Sequence, residues 1–439
     1  MSVIRDLGFM EARMHLMQSG FNGTTQGGLA LRVEGELDTA RFADALRHVQ
    51  ARYALLRCVI VPNASTGQFC FAEPAQPAAL PLQVLERLSD THWQTLLQSL
   101  NDQPLPASEQ LWHMVILQAP AHQPQQHDLL LRVHHALMDG TAADTFFDAV
   151  LACYAQGSAQ VLPDVPVPPA AEHAVPASLR LSWADYLAWQ RAQPNLNASL
   201  PALPHQATPP LSARHSAFST CALTAAQTSA LEHAAKAQGV SLNSLLSAAL
   251  LEGVSAAVPG RAELVLHSTF SLRRLCAPRI HPTELACCMA IVSTLHPVPA
   301  PSLAAQAQTH HAALARAVLQ QIKQAAEVDT AAVQNGMAAL AQQTQFTSDI
   351  AFTFGESRLK PRYGDLAVLH LFPVVNRRLG NLAVAVHGVR LNGACHLTFN
   401  HTAPLQDATV VALMQQRFMA NLLAQLALSS PSCVMDQPA

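Results

Sequence analysis

One segment, His134 to Gly140, constrains the fold of this chain most strongly, and it reads His-His-Ala-Leu-Met-Asp-Gly. Before it, Leu129, Leu131 and Val133 recur at every second position, which predicts a strand. After it, apolar residues recur at helical spacing, namely Phe146, Phe147, Val150, Leu151 and Tyr154. The pattern therefore predicts that a strand gives way to a helix here and that His135 is held at the turn between them.

The residue types in this segment suit proton transfer. Histidine titrates near neutral pH, so it can accept a proton from an alcohol or amine and pass it to a leaving group. Successive strand residues face opposite sides, so only one of His134 and His135 points into a given cavity. We expect Asp139 to orient the segment through an ion pair and Gly140 to permit a backbone angle that larger residues resist. The alternative is a pair of satisfied core histidines, followed by an aspartate that only caps the next helix.

Composition excludes several classes of function. The chain has 439 residues, half of them hydrophobic, a formal net charge of −3 and only three lysines, so it lacks the basic face of a nucleic-acid-binding protein. The first twenty residues contain Arg5, Glu11 and Arg13 without a continuous apolar stretch, so no signal peptide is expected. No apolar run is long enough to span a bilayer.

The cysteines point away from metal and disulfide chemistry. There are nine, an odd number, and none are spaced as Cys-x-x-Cys, which disfavours both a disulfide framework and a zinc site. Buried thiols in a reducing cytoplasm are the simpler interpretation. Gly-x-Ser-x-Gly, phosphate-binding and dinucleotide-binding motifs are absent as well. We therefore expect a cytoplasmic protein with no metal and no tightly bound cofactor.

The periodicity predicts two halves of mixed α and β structure. Ten prolines fall between positions 162 and 210 and predict an extended connector, with one short amphipathic piece from Leu181 to Arg191. The predicted units are a first lobe at 1–160, the connector at 161–215, a second lobe at 216–430 and a tail at 431–439. Polar residues that can cap a helix predict where three of the helices begin. They are Asp38 or Thr39, Thr224 and Ser241. Strands are predicted in the second half at 264–270, 350–354, 382–389 and 396–400, and a last helix at 407–426.

The segment His134 to Gly140 resembles the His-His-x-x-x-Asp-Gly signature of an acyltransferase superfamily. Its members include nonribosomal peptide condensation domains, polyketide-associated acyltransferases and alcohol acetyltransferases. Looser similarities extend the resemblance over nearly the whole chain: Gly8 to Glu11, Arg52 to Arg57, Phe270 to Arg274 and Thr353 to Gly355. Tyr53 stands where condensation domains have a histidine, and Thr353 to Gly355 stand where they have a Ser-Asn-x-Gly turn.

The resemblance implies a fold and a site. It implies an α/β protein whose two chloramphenicol-acetyltransferase-like lobes form a V, with the active site in the tunnel between them. His135 would be the catalytic histidine, supported by His134, Asp139 and Gly140. Arg273 matches best the arginine that pairs with the aspartate from the other lobe. The alternative for Arg273 is an ordinary solvated loop arginine.

The resemblance also implies an activity. An acyl group would move from a thioester donor, on coenzyme A or a phosphopantetheinyl carrier protein, to the hydroxyl or amine of a small acceptor in specialised metabolism. No attached adenylation or carrier segment is recognised, so a free-standing monomer that meets its donor in trans is expected. Two alternatives stay open. One is an epimerisation enzyme, although the second-lobe glutamate of such domains cannot be located, and the other is a non-catalytic binding scaffold.

A short basic run is a candidate docking site for the donor. Arg358, Lys360 and Arg362 lie close together in a chain with few lysines. Their charge suits the phosphate of a pantetheine arm or an acidic carrier surface. The alternative is a solvated surface loop. These three residues are called the basic cluster below.

Overall fold

The computed structural model describes residues 1–76, 79–120, 125–157, 163–193, 196 and 203–429. The strands are β1 (Ser2–Asp6), β2 (Gly27–Glu34), β3 (Val59–Pro62), β4 (Phe69–Glu73), β5 (Leu82–Glu86), β6 (Trp112–Gln118), β7 (Gln126–Val133), β8 (Arg180–Leu181), β9 (His215–Leu223), β10 (Glu263–Ser271), β11 (Met289–Pro297), β12 (Gln324–Ala325), β13 (Ser348–Glu356), β14 (Arg362–Tyr363), β15 (Leu366–Val375), β16 (Leu382–Leu391) and β17 (Ala394–Ala403). The helices are α1 (Phe9–Gly20), α2 (Thr39–Arg52), α3 (His92–Asn101), α4 (Gly140–Gln156), α5 (Ala171–Ala174), α6 (Trp183–Ala192), α7 (Ala225–Ala237), α8 (Leu242–Ala257), α9 (Leu303–Gln321), α10 (Thr330–Ala341) and α11 (Ala408–Ser429).

The first lobe is built on a six-stranded sheet in the order β14-β15-β2-β7-β6-β5. One face carries Leu31, Val33 and Leu131, which are buried with Phe42 of α2 and Phe146 of α4 in one apolar cluster. The other face carries a second cluster, formed by Ala30, Leu130, Val374 and the α3 residues Trp93 and Leu97. Because both faces are covered, the central strands of this sheet are apolar on both sides.

The second lobe is built on another six-stranded sheet, in the order β11-β10-β13-β16-β17-β9. Leu266, Val386 and Phe399 cover one face and pack with Leu250 of α8 and Phe418 of α11. The opposite face of β10, β13 and β16 carries half-buried polar residues, namely His267, Thr269, Thr353 and His387. The predicted mixed α/β fold with two sheet-containing lobes is therefore confirmed.

One segment of the second half joins the first sheet. β15 pairs antiparallel with β2, with Ala367 opposite Glu34 and Val375 opposite Gly27. The continuous second lobe predicted at 216–430 is thus interrupted by residues 362–375. The periodicity of a strand carries no information about which sheet receives it. The connector boundary at 161 and the tail at 431–439 lie outside the described residues.

Most strongly periodic elements lie where the sequence predicts them. The Asp38, Thr224 and Ser241 side chains cap α2, α7 and α8 as expected. The amphipathic piece in the connector is α6. The turn expected at Thr353 to Gly355 is wrong, because these residues lie inside β13 and pair with His387 to Val389 of β16. The sequence predictions also omitted β9, β11, β15 and α9.

Within the described residues, no single helix has the length and apolar character needed to cross a membrane. Helices α7 and α8 meet that test only when taken together, across a bend of 98°.

Candidate active site between the lobes

The loop His134–Asp139 connects β7 to α4. Its start is fixed because the His134 amide donates to the Leu111 carbonyl at 2.7 Å, and it turns because the Leu137 amide donates to the His134 carbonyl at 2.9 Å. Its end is fixed because Asp139 is the N-cap residue of α4. The predicted change from strand to helix is confirmed. It holds His135 just beyond the C-terminal end of β7, an inner strand of the first sheet.

The two histidines have different environments. His134 is fully buried, and its Nδ1 accepts a hydrogen bond from the Ala136 amide at 3.2 Å. Its Nε2 therefore carries the proton and donates to Nδ1 of His15 at 3.3 Å. Burial lowers the pKa of His134 well below its usual value, and His15 and His135 lower it further. His135 keeps part of its surface accessible and lies close enough to His387 of the second sheet to lower the pKa of that histidine, so of this pair His135 lies towards the second lobe.

Asp139 joins the two lobes through a buried ion pair. Arg273, which follows β10, places its Nη2 at 3.0 and 3.1 Å from the two Asp139 carboxylate oxygens. The side chains keep only 5% and 8% of their surface exposed. The carboxylate also accepts hydrogen bonds from the Ala142 amide at 2.9 Å and the Cys288 amide at 3.0 Å. Asp139 is thus both a helix cap and an ion-pair partner, and Arg273 is not a solvated loop residue.

The conformational role expected of Gly140 is wrong. Gly140 is the first residue of α4 and its φ is not positive. Other residue types can therefore adopt the same backbone conformation. A Cβ atom at this position would meet no atom within 4 Å. The absence of a side chain therefore leaves open space beside the loop that carries His135.

The second half of the chain contributes three residues that the sequence predictions omitted. His267 and His387 lie on the half-buried face of the second sheet, and Arg377 follows β15 where the chain leaves the first sheet. Arg377 lies close enough to His135, His267 and His387 to lower the pKa of each. The two histidines could have been found from the alternation of apolar and polar residues along the predicted strands 264–270 and 382–389. No local pattern in the sequence indicates Arg377.

The environment of His135 favours the neutral imidazole. Burial is the main cause that lowers its pKa, against the opposing effects of its own backbone carbonyl and of Asp139, and Arg377 lowers it further. Burial also lowers the pKa of His267 to about 4 and that of His387 to about 3. A neutral imidazole has a free lone pair, so His135 can act as a proton acceptor at neutral pH.

The basic cluster lies beside α4. All three side chains are exposed, on the segment that crosses from the second sheet to the first. Asp144 of α4 accepts hydrogen bonds from the Ser357 hydroxyl and, at 2.7 Å, from the Arg358 amide. Tyr363 donates to Asp148, one turn further along the helix. The crossing segment is therefore fastened to the helix that begins at the His135 loop.

The described residues contain no group of three or more His, Cys, Asp or Glu side chains arranged to hold a metal ion.

The two lobes and the site between them define the condensation and chloramphenicol-acetyltransferase-like fold. The family model of the condensation domain matches residues 26–427, and the chain therefore belongs to the condensation domain family. No curated protein matches its sequence.

Several solved structures share the fold over nearly the whole chain. TRI3 trichothecene 15-O-acetyltransferase from Fusarium sporotrichioides has 12% identity and a TM-score of 0.74, covering 96% of this chain and 94% of its own. The first condensation domain of the calcium-dependent antibiotic synthetase has 16% identity and a TM-score of 0.71, covering 99% of both chains. Polyketide synthase associated protein 5 from Mycobacterium tuberculosis has 17% identity and a TM-score of 0.66, covering 98% of this chain and 99% of its own.

Proposed function

We propose that this protein transfers an acyl group from a thioester donor to the hydroxyl or amine of a small-molecule acceptor, forming an ester or amide. The donor is coenzyme A or the phosphopantetheine arm of a carrier protein. The observation that carries the proposal is the placement of His135, a partly accessible imidazole at the boundary of the two lobes, where burial lowers its pKa. Family membership supports the same class of reaction.

The proposed reaction needs one base and no covalent enzyme intermediate. The acceptor oxygen or nitrogen attacks the thioester carbonyl, and His135 takes the proton that the acceptor loses. The tetrahedral intermediate then collapses and the carbon–sulfur bond breaks. The leaving thiolate takes the proton from His135 and departs as a free thiol. Holding donor and acceptor together beside the imidazole contributes much of the rate, since it makes a bimolecular step effectively unimolecular.

In this proposal Asp139 and Arg273 are positioning residues. Their ion pair holds the first turn of α4 against the second lobe, so it sets the distance between His135 and the residues that face it. The basic cluster is proposed to dock the donor, because its exposed charges lie on the segment fastened to the same helix.

We further place the protein in the cytoplasm, in specialised metabolism, as a monomer that meets its donor in trans. The eight cysteines within the described residues are free thiols, which suits a reducing compartment.

The test is a transfer assay. The purified protein is mixed with acyl-coenzyme A and acyl-carrier donors and a panel of alcohols and amines, and products are read by mass spectrometry. His135→Ala should lower turnover by about two to four orders of magnitude, the usual contribution of a general base. His233→Ala is the matched control, because His233 is exposed on α7, and it should leave turnover unchanged.

Circular dichroism establishes that both variants are folded. A folded His135→Ala protein with near-wild-type turnover would contradict the mechanism. An inverted stereocentre without acyl transfer would instead support the epimerisation alternative, and substrate binding without any product would support the binding scaffold.

A further inference from the structure

Arg377 is a cationic side chain between the lobes that has no acidic partner among the described residues. Among the ion pairs of the described residues, Arg377 takes part in none. Its Nη2 donates to the Asn381 side-chain oxygen at 3.2 Å, whereas its Nε is buried and no described residue hydrogen-bonds to it. Burial lowers the pKa of Arg377 to about 10, and no carboxylate opposes this shift. A guanidinium in such a place is complementary to an anion, because a buried charge is costly unless it is paired.

The backbone of Arg377 is fixed, so the charge is held in place. The Arg377 amide donates to the Ser216 hydroxyl at 3.0 Å, and its carbonyl accepts a hydrogen bond from the Thr402 hydroxyl. Both partners belong to strands of the second sheet. The side chain is densely surrounded by protein yet keeps part of its surface accessible, which is the combination expected of a residue that lines an internal space.

His387 presents a hydrogen-bond donor beside this charge. The Asn400 side-chain oxygen accepts from the Val375 amide at 3.1 Å, which fixes the orientation of the Asn400 amide group. Its Nδ2 therefore donates to Nδ1 of His387, also at 3.1 Å. The neutral His387 ring then carries its proton on Nε2, where it can donate to a ligand.

His267 lies in the same region, with Nδ1 at 2.8 Å from the Ser293 hydroxyl and with Nε2 buried and unpartnered within the described part of the chain. Arg377 lowers the pKa of His267 as it does that of His387, so neither imidazole competes with the guanidinium for an anion as a second cation. The site therefore combines one permanent positive charge, the guanidinium, with two neutral imidazole rings. This composition matches the charge of a single anion.

Arg377 follows the end of β15, whereas the basic cluster lies at the other end of that strand, where Arg362 pairs with Ala367. The ten residues of that strand span about 33 Å. If the basic cluster docks the donor, as proposed above, Arg377 faces the other substrate.

We propose that Arg377 and His387 bind a carboxylate of the acyl acceptor, so that the acceptors of this enzyme are free hydroxy or amino carboxylic acids. This inference rests on the proposed acyl transfer only where it calls the bound acid the acceptor. Binding of the acid itself is tested without any donor. His267 completes the polar wall of the site.

The experiment compares acids with their primary amides, which have nearly the same shape and no charge. The probes are lactate, 3-hydroxybutyrate, 3-hydroxydecanoate and serine, each beside its amide, titrated calorimetrically into the full chain without donor. At least one acid should bind about 30-fold or more tightly than its amide, the minimum expected when one partner of a buried charge pair is lost. Arg377→Gln should abolish this preference and Arg377→Lys should keep part of it.

The control is Arg316→Gln, which removes one exposed positive charge from α9 and should leave the preference intact. Equal binding of acids and amides by the wild-type protein, or no binding of any acid, would overturn the proposal. So would a folded Arg377→Gln protein that retains the preference. If Arg377→Gln does not fold, the wild-type comparison and Arg377→Lys decide.

Kinetics separate this role from others. With a working donor, Arg377→Gln should raise the KM of an acid acceptor and leave the kinetics of its amide unchanged. An equal loss of kcat for acid and amide would assign Arg377 to the transition state and overturn the carboxylate site. A clear preference for acids without acyl transfer from any donor would reject the proposed function while the anion site stands.

Discussion

Asp139→Ala should destabilise the protein more than any ordinary cap variant. The change removes the cap of α4, which contributes about 1 kcal/mol at a typical helix. It also leaves the buried Arg273 guanidinium without its carboxylate, and breaking one partner of a buried pair costs about 3 to 5 kcal/mol. The sum is about 4 to 6 kcal/mol, which approaches the whole unfolding free energy of many natural proteins.

The measurement is urea denaturation followed by tryptophan fluorescence. Asp38→Ala is the matched control, because Asp38 caps α2 through hydrogen bonds from the Ala40 and Arg41 amides and is exposed. We expect this control to lose about 1 kcal/mol. The difference between the two variants measures the ion pair together with the hydrogen bond from the Cys288 amide. Asp139→Asn, which keeps the shape of the side chain, supplies the same comparison if Asp139→Ala is insoluble.

Two results would refute this reasoning. One is an unfolding free energy of Asp139→Ala equal to that of Asp38→Ala, which would mean that the ion pair does not stabilise the fold. The other is wild-type stability with only a rate defect, which would make Asp139 a catalytic carboxylate instead of a structural one.

The remaining predictions concern pH and charge. The pKa of His135 is lowered, so the acidic limb of the kcat/KM profile should lie below pH 6.5, and a limb at or above 6.5 would contradict a buried base. Replacing all three residues of the basic cluster with alanine should raise the donor KM and weaken its salt dependence without affecting acceptor kinetics; unchanged donor kinetics at low and high salt would make the cluster an ordinary surface. Burial lowers the pKa of seven described histidines to about 3 or 4, and they are His15, His267, His296, His310, His387, His396 and His401. Because these side chains gain protons at higher pH when unfolded, stability should fall as the pH drops below 6.5 towards 4, by about 1 kcal/mol for each at pH 5.5. Urea denaturation at pH 7.5 and pH 5.5 checks this, and equal midpoints would contradict it.

The sequence by itself determined the elements whose signals are local. The caps of α2, α7 and α8 were identified because a cap acts on amides two or three residues away. The position of His135 followed in the same way, from the strand before it and the helix after it. These features depend on neighbours in the chain, so a single sequence contains them.

The tertiary structure decided everything that depends on which strands become neighbours. The sequence predictions omitted β15, which pairs with β2 of the first sheet, and this pairing brings Arg377 to the boundary between the lobes. The family resemblance placed a turn at Thr353 to Gly355, but these residues are extended because β16 supplies their hydrogen-bond partners. The conformation of Gly140 was likewise set by its place in α4.

The Asp139–Arg273 pair shows where the two kinds of information meet. The family signature identified the aspartate and suggested its arginine, but only the folded chain brings Arg273 within 3.0 Å and buries both charges. His267, His387 and Arg377 belong to no signature. They lie near one another because β10 and β16 share the second sheet, and the chain leaving β15 of the first sheet is bonded to that second sheet. Local periodicity specifies which way a side chain faces on its own element, whereas a site assembled between two lobes requires the packing of those lobes.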